Sequence, residues 1–134
     1  MTESALPQRV QCFLMSHIDS IEKLEVLLLL RARAEREWMA SEVALELRIT
    51  EMSASARMEA LTASRLLISD GARPARCRYS PADSEDVRAI AELAAAYAER
   101  RVSVITFIFT KPQAKVQGFA DAFLFKKRGA SGHG

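Results

Sequence analysis

The stretch Ser41-Glu42-Val43-Ala44-Leu45-Glu46-Leu47-Arg48-Ile49-Thr50 decides how the rest of the chain is read. Ser41 can cap a short helix over 42–48, and Val43, Ala44 and Leu47 then share one face, because side chains three and four apart stack on the same side of a helix. Ile49-Thr50 breaks that helix, and Thr50 can cap a second one over 51–65. In the second helix Ala54, Met58 and Leu61 return to one side at steps of four and three. Two short helices therefore meet at a tight turn.

The elements on either side of this pair complete a recognisable order. Before it, Trp38-Met39-Ala40 reads as a brief extended segment. After it, Leu66-Leu67-Ile68 is strand-like, Asp70-Gly71 with Pro74 supplies turn chemistry, and Arg76-Cys77-Arg78-Tyr79 alternates as a returning strand. Residues 66–79 are thus expected to form a β-hairpin.

Upstream, Val10, Phe13, Leu14, His17 and Ile18 mark one face of a first helix over 8–18. Asp19-Ser20, with Asp19 three residues before Glu22 as in a capping box, can cap a second helix over 21–33, in which Ile21, Leu24 and Val26 to Leu30 cover more than one stripe. That helix is expected to be the core helix. Downstream, Asp83 or Ser84 can cap a long helix from about Glu85 to Phe109. Its row Val87, Ile90, Ala94, Tyr97, Arg101, Val104 and Ile108 advances by threes and fours. The β-branched run over 102–110 suits a strand by propensity and a helix by period, so both remain open here. A last amphipathic helix over 114–125 carries Phe119 and Phe123, and residues 129–134 read as a disordered tail.

The length of 134 residues suits one domain with a real core, and 49% hydrophobic with 27% charged residues is a globular mixture. No apolar run approaches the roughly 20 residues of a membrane span, and Met1 to Pro7 shows no signal-peptide pattern, so a cytoplasmic location is expected. Cys12 and Cys77 fit reduced thiols there. The net charge of +2 is unevenly divided: residues 1–70 hold 8 basic and 11 acidic side chains, residues 71–134 hold 11 and 6. The basic second half leans toward a polyanion.

The order strand, helix, turn, helix, hairpin is that of a winged helix-turn-helix. Residues 41–50, with Met58-Glu59-Ala60-Leu61 and Arg65-Leu66-Leu67, resemble the pattern of MarR-type winged-helix transcriptional regulators. Ala44, Ile49, Thr50, Met58, Leu61 and Leu66 occupy its alanine, turn, cap and apolar positions. The resemblance implies a mainly α fold with a small β-hairpin wing, in which a helix-turn-helix over 41–65 is flanked by N- and C-terminal dimerisation helices. It also implies double-stranded DNA as partner, self-association as a homodimer and a small-molecule effector of unknown identity. On this reading Ser53, Ser55 and Arg57 face the major groove, and Arg73, Arg76 and Arg78 on the wing reach phosphates or the minor groove. Val87, Ile90, Ala94, Tyr97, Val104, Ile108, Phe119 and Phe123 are the expected dimer contacts. The alternative for the long-helix seam is burial within one chain.

One departure stands out. Glu51 and Glu59 accompany a single early basic residue, Arg57, on the recognition helix, and carboxylates beside phosphates are unfavourable. The second function consistent with the sequence is therefore a winged-helix module that binds a protein and little or no DNA. No enzyme, cofactor or metal is expected: His17 and His133 have no partners at ligand spacing, and no glycine opens a phosphate loop.

Overall fold

The computed structural model describes residues 6–110 of the chain. Its elements run α1 (Gln8–His17), α2 (Ile21–Ala32), β1 (Trp38–Met39), α3 (Ala40–Leu47), α4 (Glu51–Ala63), β2 (Leu67–Ser69), β3 (Arg76–Tyr79), α5 (Ser84–Glu99) and α6 (Arg101–Thr110). The mainly helical class with a small hairpin wing is as expected from the sequence.

α2 is the core helix. Leu24, Val26, Leu27 and Leu30 are buried and Leu28 and Leu29 pack against the core from its edges, which is why its apolar positions exceed one stripe. Phe13 and Leu14 of α1, Leu61 of α4, Leu66 and Leu67 before and in the wing, and Ile90 and Leu93 of α5 complete one continuous cluster. Burying a leucine side chain contributes about 1.5–3 kcal/mol, so this cluster outweighs any polar contact on the surface.

Of the two candidate caps for α2, Ser20 is the one used, its side chain accepting from the backbone N–H of Lys23 at 3.1 Å. One cap differs from expectation. α3 begins at Ala40, two residues earlier than a Ser41 cap would allow, because the Glu42 carboxylate reaches back to the N–H of Met39 at 2.9 Å. Arg36 holds that carboxylate from outside at 3.0 Å and stacks its guanidinium over the Trp38 ring at 3.8 Å. Thr50 caps α4 as expected, accepting from Ser53 N–H at 3.0 Å. The tight turn between α3 and α4 places Arg48 in the left-handed region, φ 60°, and Ile49 N–H bonds back to the Ala44 carbonyl at 3.0 Å.

The extended segment at 38–39 is a third strand. The sheet is antiparallel with order β1-β3-β2, Trp38 facing Cys77 on one side of β3 and Leu67 facing Tyr79 on the other. This anchors the wing to the segment that leads into α3.

The long helix expected from 85 to 109 is two helices. Asp83 caps the first, and Arg100 leaves helical geometry (φ −134°, ψ 55°) before α6 begins. A straight helix of that length would run about 38 Å and carry its far end off the domain. The break instead returns Val104 and Ile108 to the chain's own core, where both are buried. Residues 102–110 are helical, which decides between the two readings of that run. The expected helix over 114–125, with Phe119 and Phe123, and the tail lie outside the described residues.

Candidate nucleic-acid interface

α4 and the hairpin that follows it make one surface. Along α4 the exposed positions Met52, Ala56, Glu59 and Ala63 advance by four, three and four and so form a single stripe. The buried Ala54, Met58 and Leu61 lie on the opposite face. Ser55 lies on the flank nearer the wing and Ser53 on the flank nearer α2. Both are half-buried. Between α4 and the wing runs a groove of about 720 Å³, lined by Ser55, Glu59 and Thr62 from the helix and Ser69, Arg73 and Ala75 from the hairpin.

Arg57 belongs to the α2 side. Its Nε donates to Glu22 Oε1 at 2.9 Å, and both side chains are about one-third exposed. The sequence pattern that placed Met58 and Leu61 inside is thus correct, while the partner of Arg57, 35 residues earlier, has no local signal.

The wing is built by Asp70. One of its carboxylate oxygens accepts from the N–H of Ala72 at 2.9 Å and of Arg76 at 3.0 Å, and Gly71 takes the positive φ (75°) that the turn requires. Those amides, that of Arg76 first, hold the Asp70 carboxyl below its usual range. In β3 the side chains alternate: Cys77 is buried, whereas Arg76 and Arg78 turn to the other face of the sheet. Arg73 and Arg76 are exposed and Arg78 is half-buried. Among the described residues none of the three forms an ion pair with a carboxylate, although Arg76 stands in the field of Asp70.

The helix-turn-helix surface itself is acidic and partly apolar. Glu42 and Arg57 are neutralised by Arg36 and Glu22, which leaves Glu46, Glu51 and Glu59 facing outward with Arg48. Leu45 is 83% and Met52 82% exposed. Glu51, in the first turn of α4, complements the positive end of the helix. Among the described residues, no hydrogen bond, ion pair or core packing requires Glu59, Leu45 or Met52 to be what they are.

Away from this surface, Arg9 bridges Glu85 at 2.7 Å and Glu92 at 2.6 Å, clamping α1 to α5. A cleft of about 650 Å³ lies between these helices, lined by Arg9, Cys12, Phe13, His17 and Asp86 among others. Glu25 of α2 accepts from Tyr97 Oη at 3.1 Å and from Arg101 at 3.3 Å, on the two sides of the α5–α6 break. Of the expected dimer contacts, Ile90, Val104 and Ile108 are buried within the single chain, Ala94 and Tyr97 are half-buried and Val87 is exposed. Among the described residues no helix is long and apolar enough to cross a membrane, and no cluster of His, Cys, Asp and Glu side chains could hold a metal ion.

Strand, helix, turn, helix and hairpin wing in this order, with the first strand paired to the hairpin, define a winged helix-turn-helix fold. It is similar to the solved structure of a mutant MepR from S. aureus bound to an oligodeoxyribonucleotide: 13% of residues are identical, 92% of this chain and 87% of that chain are covered, and the TM-score is 0.53. At that identity the likeness shows the fold, which is the one the MarR-type resemblance implied. No protein-family model and no curated protein sequence matches the chain.

Proposed function

We propose that the chain is a DNA-binding transcriptional regulator that acts as a homodimer in the cytoplasm, with α4 in the major groove and the β2–β3 wing on the backbone beside it. The wing carries this reading. Arg73, Arg76 and Arg78 project from a hairpin next to α4 without carboxylate partners among the described residues, in a fold similar to one solved on an oligodeoxyribonucleotide. Guanidinium groups placed this way bind phosphates and release counterions, so they supply affinity without reading sequence.

One recognition helix reads few base pairs, and a second copy supplies the second half-site. α6 supports self-association. Val102 and Phe109, at i and i+7 and so on one side of the helix, are 76% and 74% exposed, and large apolar side chains exposed together suit a contact with a second copy. With Ile90, Val104 and Ile108 spent on the chain's own core, the contact falls on Val102 and Phe109 of α6. A small-molecule effector is part of this reading, and the cleft between α1 and α5 is the space that would take it.

The exposed Leu45 and Met52 beside Glu46, Glu51 and Glu59 favour a second reading, a winged-helix module that binds a protein. Fluorescence anisotropy of a labelled random-sequence duplex separates the two. Tight binding at low salt that falls steeply as salt rises supports the regulator, and no binding at low salt supports the module.

A further inference from the structure

The outward stripe of α4 has a composition that matches one kind of base edge. Met52 and Ala56 offer apolar surface and Glu59 offers only acceptor oxygens, and all three are exposed on one line. The one arginine of this helix, Arg57, is on another flank and bonded to Glu22. In the major groove thymine presents a methyl group, cytosine an amino donor, and guanine two acceptors. An apolar side chain therefore finds its match in thymine. A carboxylate finds it in cytosine, is repelled by the acceptors of guanine, and at adenine meets one donor beside one acceptor.

Resting on the DNA-binding reading, we propose that α4 reads pyrimidine edges: Met52 and Ala56 cover thymine methyl groups, Glu59 accepts from a cytosine amine, and guanine is not contacted by this helix. The division of labour follows from the charges. Glu59 sits mid-stripe, where the groove floor rather than a phosphate would face it, and the wing arginines supply the attraction that the helix lacks. The Met52 side chain is flexible and polarisable, which suits contact with a methyl group whose position varies with the step. Covering that side chain on binding also accounts for an 82% exposed methionine that no packing among the described residues requires.

The test uses the full chain and a duplex library with a randomised core. Enriched duplexes are then remade with deoxyuridine in place of thymidine, which removes the methyl groups and keeps base pairing. The parent is expected to bind the uracil duplex about fourfold more weakly for each methyl group covered, and Met52→Ala to narrow that difference. Glu59→Gln is expected to move the enriched base from cytosine toward adenine, which an amide can pair with on both its groove groups. Met52 and Glu59 are exposed, so both variants should unfold at the parent's temperature. Binding without any loss on uracil substitution overturns the pyrimidine reading and leaves the DNA-binding reading standing. Retention of no duplex at low salt overturns both, and is the outcome a protein partner for this face would give.

Discussion

Arg57 Nε and Glu22 Oε1 lie 2.9 Å apart, so the only arginine of α4 is committed to α2. α4 is thereby fixed on the core helix by a charge-assisted bond on one flank and by Ala54, Met58 and Leu61 beneath. The same bond holds that cation on a flank of α4, away from the outward stripe of Met52, Ala56 and Glu59. Sequence spacing alone put Arg57 among the groove-facing residues.

A double-mutant cycle measures this link. Glu22→Ala and Arg57→Ala should each destabilise the protein modestly, with a coupling of about 0.5–1 kcal/mol for a pair that is one-third exposed. Urea unfolding of the four proteins gives the number. Arg57→Ala should also leave the preferred DNA sequence unchanged. Zero coupling together with an altered preference would move Arg57 back into the groove.

His17 makes stability depend on pH in a defined direction. Burial, more than the opposing field of Asp86 at 3.9 Å, lowers its pKa from the ordinary 6.5. The unfolded chain therefore binds a proton that the folded chain resists, and stability falls as pH drops through 6.5 toward the lower folded value. Above 6.5 the imidazole is neutral in both states and its contribution vanishes. Thermal unfolding between pH 5 and 8 should show this slope, and His17→Gln should flatten it. An unchanged slope in the variant would assign the dependence to other groups.

Most of the fold was legible because its signals are local. Thr50 before Glu51, the three- and four-residue steps of Ala54, Met58 and Leu61, and Asp70-Gly71 between alternating segments each specify their element within a few residues. What was missed is non-local. The break at Arg100 has neither glycine nor proline to announce it, and is explained by Val104 and Ile108 returning to a core made by other helices. The Glu42 cap on Met39 and the pairing of Trp38 with Cys77 likewise depend on neighbours brought in by folding. In the candidate site, Arg73, Arg76 and Arg78 were read from their clustering on the hairpin, where Arg76 and Arg78 lie in β3 and Arg73 in the turn before it. The exposed stripe of Met52, Ala56 and Glu59 was not singled out because Arg57, whose partner Glu22 is 35 residues away, drew the reading to its own flank.

Self-association through α6 predicts a contrast between two substitutions. Phe109→Asp, at a 74% exposed position, should leave the secondary structure intact and turn a dimer into a monomer in sedimentation equilibrium. Ile90→Asp, at a fully buried position, should unfold the chain whatever its oligomeric state. A parent chain that sediments at 14.9 kDa at tens of micromolar, with Phe109→Asp indistinguishable from it, would contradict the dimer.

The wing is the centre of the functional account, and the salt dependence of DNA binding tests it most directly. Affinity for a random-sequence duplex is measured across a salt series for the parent and for the variant carrying Arg73→Ala, Arg76→Ala and Arg78→Ala together. The account predicts that the variant binds every duplex more weakly by a similar factor, and that the slope of log affinity against log salt becomes shallower by up to about three units. Equal affinities and equal slopes for the two proteins would contradict it.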